Sequence, residues 1–325
     1  MKIIISDYPG VMETDYSLTR EAVLSVLPQA RIEILPYSED PIFYKALSGA
    51  EGLITAFLPL DERFFSKARR LRCVSISAAG YGNVDLKSAQ RHGVAICHIE
   101  EYCTREVAEH TLSLILALNR NLKYYTRKIE KDHEWKFHTV YGGRPLSQQT
   151  LSIFGFGRIG RMVAEYARAL GMEVLAVAPG LKAEEALRLG VRPVTVEEAL
   201  RKGDVITNHM NLKPENVRFF NREAFSKMER SPLFINTGRG GSVDEEALCE
   251  ALDTGKIRGA GLDVLTDEDP SLEGHPLLGR DNVVITPHSA FYSSESMEKL
   301  QIISGSNLAF CLKGEMEKVR KPVSG

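Results

Sequence analysis

Arg239, Glu268 and His288 are the side chains in this sequence whose types and placement suit proton transfer beside a bound carboxylate. Each follows a short apolar run that reads as a strand: Leu233 to Thr237, Gly259 to Val264 and Val283 to Thr286. Arg239 sits in Asn236-Thr237-Gly238-Arg239-Gly240-Gly241, where flanking glycines leave a guanidinium close to the backbone and free to grip a planar carboxylate with two hydrogen bonds. A 2-oxo acid offers such a carboxylate. His288 follows Pro287, and an imidazole titrating near neutrality can give and take the proton that accompanies hydride transfer. Glu268 would hold that ring, choose its tautomer and favour the protonated form. Taken singly, each residue reads as an ordinary loop or surface group; their shared position at strand ends joins them into one hypothesis.

A second constellation lies upstream. Leu151-Ser152-Ile153-Phe154 reads as a buried strand and runs into Gly155-Phe156-Gly157-Arg158-Ile159-Gly160, which opens a helix ending near Gly171. The expected division of labour is Gly155 for a tight turn, Gly157 for close approach of a pyrophosphate, and Gly160 for helix-to-strand packing. Free N–H groups at the helix start would face the phosphates. After the next strand, Glu173 to Val177, a dinucleotide site usually presents an acidic residue to the ribose; here Ala178 stands there. No arginine replaces it, and Lys182 is the nearest cation. NAD is therefore expected, with NADP left open, and Glu184 and Glu185 read as first-turn helix acids.

An α/β framework must position these groups. Strands are expected at Lys2 to Ser6, Arg31 to Leu35, Gly52 to Thr55, Leu71 to Ser77 and Val94 to Cys97, with helices such as Leu18 to Leu27 and Asp61 to Arg70 between them. Val107, Thr111, Leu114, Leu118, Leu122, Tyr125 and Ile129 recur at helical spacing, predicting one long helix capped by Thr104 and bridging two domains. Residues 133–147 read as a loop. Further strands are expected at Pro193 to Val196 and Asp204 to His209, and the chain should finish in a helix over Ser293 to Leu312 that packs on the first domain with no strand after it.

Composition narrows the functional class. At 325 residues, with 43% hydrophobic and 26% charged, the chain matches a globular protein of two domains and not a disordered or fibrous one. A net charge of -2 and a pI near 6.5 give no support to nucleic-acid binding. Five cysteines without a C-x-x-C pair argue against a disulfide framework or a structural metal, so no metal is expected. The N-terminal apolar run is too short for a signal peptide and no stretch is long enough to span a bilayer; a cytoplasmic protein is expected.

These motifs together resemble the D-isomer-specific 2-hydroxyacid dehydrogenase family. Gly80-Tyr81-Gly82-Asn83-Val84-Asp85 looks like its substrate-carboxylate loop, Gly155 to Gly160 its nucleotide turn and Asn236 to Gly241 its arginine motif. Gly261-Leu262-Asp263-Val264 with Glu268 and Pro287-His288 looks like the rest of its active site. The resemblance implies a Rossmann dinucleotide-binding domain, residues 103–290, inserted in a flavodoxin-like substrate domain made of 1–102 plus 291–325. It implies that Arg239, Glu268 and His288 are catalytic, and that Ala79, Gly80, Tyr81, Arg239 and Phe291 contact substrate. It places Val107, Gly155, Gly157, Arg158, Ile159, Gly160, Ala178, Met210, Asn211, Thr237, Gly238, Arg239, Asp263 and His288 at the cofactor. The activity implied is reversible reduction of a 2-oxo acid to the (R)-2-hydroxy acid by a homodimer. The segments around Arg239 and His288 look closest to the C-terminal-binding-protein branch, so an NADH-sensing corepressor-like module with incidental turnover is the alternative. Two departures fall on the cofactor side: Ala178, and Met210-Asn211-Leu212 where many members carry a proline-containing loop.

Overall fold

The computed structural model describes residues 1–12, 15–140, 142–268, 270–320 and 322–323. The chain begins with β1 (Lys2–Ile5), α1 (Ser17–Val26), β2 (Arg31–Ile34), α2 (Pro41–Ser48), β3 (Gly52–Thr55), α3 (Glu62–Lys67), β4 (Cys73–Ile76), α4 (Leu86–Arg91) and β5 (Ala95–His98). It continues through α5 (Thr104–Asn119), α6 (Leu122–Asp132), β6 (Thr150–Phe154), α7 (Arg158–Ala169), β7 (Glu173–Val177), α8 (Ala183–Leu189), β8 (Arg192–Pro193) and α9 (Val196–Lys202). The remainder is β9 (Val205–Asn208), α10 (Arg222–Ser226), β10 (Leu233–Asn236), α11 (Glu245–Asp253), β11 (Gly259–Leu262), β12 (Val283–Ile285), α12 (Ser294–Lys313) and β13 (Pro322–Val323). Contacts divide the chain into two compact units, Met1–Tyr102 with Ser293–Gly325, and Cys103–Tyr292. No helix among the described residues is long and apolar enough to cross a membrane.

In the first unit the described strands lie in the order β13-β5-β4-β3-β1-β2, with β1 to β5 parallel. The order 2-1-3-4-5 of the parallel strands is the flavodoxin-like arrangement. Strands β3 and β4 are buried along their whole length, as parallel strands covered by helices on both faces must be. Asp40, Asp61 and Asp85 cap α2, α3 and α4 by accepting from the backbone N–H three residues on. Helix α12 packs on α1 at Gly305, where a Cβ would lie 2.7 Å from the Thr19 carbonyl oxygen.

The second unit holds an all-parallel sheet in the order β12-β11-β10-β9-β6-β7-β8. Chain direction across the sheet reverses between β6 and β9, the switch point at which open α/β sheets bind ligands. One sheet face buries an aromatic cluster, with Phe220 centred 5.1 Å from Phe154 and 4.9 Å from Phe234. The other face is covered by α5 and α7, whose Leu114, Ile115, Val163 and Ala167 pack on Ile153 and Ile235.

Four local expectations are corrected. The single long helix is two, because Asn121 adopts the left-handed conformation (φ 53°) between α5 and α6; asparagine tolerates it and leaves no glycine or proline to mark the break. Thr104 is the first helical residue and not the cap, which falls on Cys103 without a side-chain bond. Pro193 to Val196 forms only the edge strand β8 before Thr195 caps α9 by accepting from Glu198 N, so the capping signal overrides the β-branched run. A short strand does follow the last helix: β13 pairs antiparallel with β5, Pro322 opposite Cys97. Helix α5 lies within the second unit, and Phe291 and Tyr292 belong to that unit as well.

Phe234 is fully buried within the aromatic cluster. Phe234→Ala is predicted to cost roughly 3–5 kcal/mol, read as a lowered denaturation midpoint of the second unit followed by near-UV circular dichroism.

Candidate active site

The glycine turn after β6 has the geometry a pyrophosphate needs. Gly155 has φ +89° and approaches the His209 backbone so closely that a Cβ would lie 2.7 Å from it. A Cβ on Gly160 would meet the Gly155 carbonyl at 2.3 Å, so α7 is seated directly against the strand it follows. Gly157 caps α7 without a side-chain bond, and nothing lies within 4 Å of where its Cβ would project. The N-terminus of this twelve-residue helix thus lies at the β6/β9 switch point with room beside Gly157, which fits a dinucleotide's phosphates. Arg158 and Ile159 open that helix, and Ile159 packs on the apolar layer beneath it.

At the end of β7, Ala178 packs against the same layer, and Lys182 is the cap residue of α8. Glu185 Oε1 takes Arg161 Nη1 at 2.6 Å, and this contact is the main reason its carboxyl is held below the ordinary range. Of the two acidic residues in the first turn of α8, Glu185 is therefore engaged within the protein.

Past β11 and β12 the histidine–glutamate pair is assembled. His288 Nδ1 and Glu268 Oε2 are 2.6 Å apart. The Glu268 carboxyl is held below its usual range chiefly by this hydrogen bond, then by the charges of His288 and Arg239, against an opposing effect of burial. A carboxylate paired with Nδ1 leaves the imidazole Nε2 for an external partner. His288 itself has φ +49°, a conformation unusual for a side chain of its size. Asp263, 1% exposed at the end of β11, enforces it: Oδ1 accepts from Thr286 Oγ1 at 2.5 Å and Ser289 N at 2.9 Å, while Oδ2 accepts from Ala290 N at 2.9 Å. The Asp263 carbonyl accepts from His288 N at 2.8 Å. Thr286 spends its proton on Asp263, so His110 Nε2, 2.9 Å from the same hydroxyl, must be the donor there. Expected at the cofactor, Asp263 has both oxygens committed to the loop that carries His288. Phe291 lies edge-on to the His288 ring at 6.2 Å.

Arg239 is pinned through its backbone. Its carbonyl accepts from Ser242 Oγ at 2.6 Å and Asn236 Nδ2 at 3.2 Å, and Asn208 Nδ2 in turn donates to Asn236 Oδ1 and Ser242 Oγ. Asn208, Asn236 and Ser242 are fully buried; Asn208 and Ser242 went unnoticed in the sequence, where the place of Asn208 at the end of β9, level with Asn236 at the end of β10, was the signal. The tight approach at Gly240, where a Cβ would collide with the Leu265 carbonyl, admits only glycine beside the arginine. Gly238 is less tightly placed, with a Cβ meeting the Asn208 and Met210 carbonyls at 3.1 and 3.3 Å, while Asn211 O accepts from Asn216 Nδ2.

A further buried chain joins Thr111, Thr237 and His209. Thr111 Oγ1 donates to Val107 O at 2.8 Å, so Thr237 must donate to Thr111 and accept from His209 Nδ1, at 2.9 and 3.2 Å. His209 Nε2 is then a bare acceptor, buried without a partner although part of the residue reaches the surface. The three residues assigned to the substrate carboxylate lie in the other unit, after β4; there Ala79 O accepts from His98 Nδ1 at 3.0 Å and the Tyr81 ring sits 4.8 Å from that of His98.

Burial lowers the His209 pKa from 6.5 to about 4. The unfolded chain takes up this proton as pH falls through 6.5, whereas the folded chain resists until about 4, so stability is lost on acidification across that window. His209→Asn is predicted to flatten the dependence of Tm on pH between these limits; an unchanged slope would show that the ring is not buried in its neutral form.

Comparison with known proteins agrees with this geometry. Residues 112–290 match the family model described as D-isomer specific 2-hydroxyacid dehydrogenase, NAD binding domain. The chain is 36% identical over 255 residues to D-3-phosphoglycerate dehydrogenase 2, chloroplastic, of Arabidopsis thaliana, covering 78% of this chain and 40% of that protein. It is 32% identical over 315 residues to the glyoxylate reductase of Aeropyrum pernix, covering 90% of this chain and 92% of that one. The crystal structure of D-lactate dehydrogenase from Aquifex aeolicus, complexed with NAD and lactic acid, superposes with a TM-score of 0.87 at 29% identity, covering 99% of both chains. The chain spans 40 to 53% of the length of the first phosphoglycerate dehydrogenases it matches. With its nucleotide turn, its arginine motif and its histidine–glutamate pair on one sheet edge, the chain belongs to the D-isomer-specific 2-hydroxyacid dehydrogenase family.

Proposed function

We propose that the protein is an NAD-dependent dehydrogenase interconverting a 2-oxo acid and the (R)-2-hydroxy acid, with Arg239, Glu268 and His288 as its catalytic residues. The observation that carries this reading is the 2.6 Å His288–Glu268 pair, built on the same sheet edge as the glycine turn. When bound, the nicotinamide supplies hydride to the substrate carbon or takes it back. Gly155 to Gly160 hold the pyrophosphate through backbone amides, and Val107, Ala178, Met210, Asn211, Thr237, Gly238 and Asp263 line the rest of the cofactor's path.

One Arg239 nitrogen, Nη1, donates to Gly238 O at 2.8 Å, which fixes the plane of the guanidinium. Its other N–H groups grip the substrate carboxylate and polarise the adjacent carbonyl. His288 Nε2 delivers a proton to the carbonyl oxygen in reduction and receives one from the hydroxyl in oxidation. Glu268, anionic through the neutral range because of its lowered pKa, keeps Nδ1 protonated and the ring aligned. Ala79, Gly80 and Tyr81 are assigned to the substrate carboxylate, and Phe291 to an apolar substrate side chain. Ala178 favours NAD over NADP, because no cation stands at the ribose position.

We also propose a cytoplasmic homodimer built around the second unit. The apolar stripe of α6 faces outward at Leu122 and Ile129, and the segment after it presents Trp135, 87% exposed, and Phe137, 82% exposed. Tyr125 Oη donates to Phe137 O at 2.7 Å and ties that segment to the helix. A surface of this kind is covered most economically by the same patch on a second copy.

The reading is tested by absorbance of the reduced nicotinamide across a panel of 2-oxo acids, from glyoxylate and pyruvate to longer apolar ones. Brisk turnover is expected on at least one, and feeble turnover on all of them with tight NADH binding would favour the sensor instead. Arg239→Ala and His288→Ala are predicted to lower kcat/KM on the order of a hundredfold or more, with NADH affinity little changed. Wild-type kcat/KM in either variant would overturn the assignment. Trp135→Asp is predicted to shift the sedimentation coefficient from dimer to monomer.

A further inference from the structure

Cys73, Cys97 and Cys311 lie far apart in the sequence, and no spacing motif links them. The fold brings them together inside the first unit. Cys73 on β4 pairs with Ala95 on β5, so Cys97, two residues further along that strand, points to the same sheet face. Helix α12 crosses this face and brings Cys311 onto the pair. The Cys73 and Cys97 sulfurs are 3.8 Å apart, and all three sulfurs lie within 4.8 Å of one another.

We infer that Cys73, Cys97 and Cys311 form a three-sulfur binding site for a thiophilic metal cation of the zinc, cadmium or copper(I) class. Metal–sulfur bonds of about 2.3 Å in a tetrahedral arrangement place the sulfurs about 3.8 Å apart, which is the separation already present between two of them. The surroundings select for a soft ion: the walls are Ile3, Ile5, Ile54, Leu308 and Leu312, and no carboxylate or imidazole joins the cluster among the described residues. Cys73 and Cys97 are sealed in the core, whereas Cys311 is only half-buried and gives the cation a way in.

The three cysteines bind as thiolates and give up their protons to solvent, so a divalent cation held by all three sulfurs leaves a complex of charge -1. The Arg72 guanidinium, whose Nη2 donates to the Leu312 carbonyl next to Cys311, lies nearby to balance it. Bound there, it would clamp α12 to β4 and β5. The site is independent of the dehydrogenase reading, since none of its residues takes part in that chemistry.

The test uses the full-length, reduced chain freed of metal and titrated with Cd(II) in weak buffer. Expected are a sulfur-to-metal charge-transfer band in the ultraviolet that saturates at one equivalent, release of protons as the ion binds and a raised Tm. Cys311→Ser, at the half-buried position, should lose the band and the Tm shift while keeping the wild-type circular dichroism spectrum and NADH-linked turnover. Cys249→Ser, in the other unit, should keep both. Should Cys311→Ser fail to fold, Cys97→Ala provides the same comparison. Absence of a saturating band in the native chain, a band that survives loss of Cys311 or Cys97, or one that requires Cys249 would overturn the proposal.

Discussion

The carboxylate of Asp263 is buried at the end of β11, and the hydrogen bonds to its two oxygens come from the few residues following β12, with His110 Nε2 of α5 3.5 Å from Oδ1. A buried charge is costly unless hydrogen bonds replace its lost water. Here the compensation and the function share one device, because the groups that satisfy Asp263 are the backbone and side chains of the His288 loop. The left-handed conformation of His288 is held by that loop, and with it the angle at which the ring meets Glu268. The proton-transfer pair is half-exposed and polar, but the anchor behind it is rigid and dry.

The same division recurs at the other parts of the site. Arg239 reaches outward from a backbone fixed by the buried Asn208, Asn236 and Ser242 network, and Gly240 makes room for that network by letting two chain segments nearly touch. At the glycine turn, Gly155 and Gly160 let β6, α7 and the end of β9 crowd together. Buried polar groups that are fully satisfied specify a single arrangement, which a site dependent on a 2.6 Å contact requires. His209 Nε2 and, on β9, Thr207 Oγ1 are buried without partners, and the histidine makes this layer acid-sensitive.

The first unit is organised differently. Its capping aspartates satisfy helix ends one at a time, and buried Asp7 accepts from Thr55 Oγ1 and the Ala56 and Phe57 amides. In the same unit three sulfurs meet at the junction of two strands and the last helix, walled by aliphatic side chains. Sulfur packs well in a core, so such a cluster is compatible with folding whether or not a cation occupies it.

Much of the framework was legible in the residues themselves. Parallel strands buried on both faces read as short apolar runs, and a glycine turn between such a run and a helix carries its own steric logic, so the α/β class, the nucleotide turn and the trio Arg239, Glu268 and His288 could be named before any coordinates. These are local properties, set by period, turn chemistry and chain order. The break at Asn121, the pairing of β13 with β5, the anchoring of His288 by Asp263 and the meeting of Cys73, Cys97 and Cys311 were not, because each depends on which distant segments the packed core places side by side. An asparagine that turns left-handed, or a cysteine that faces two others, looks the same in sequence as one that does not. Only the burial of charge and sulfur in the folded chain distinguishes them.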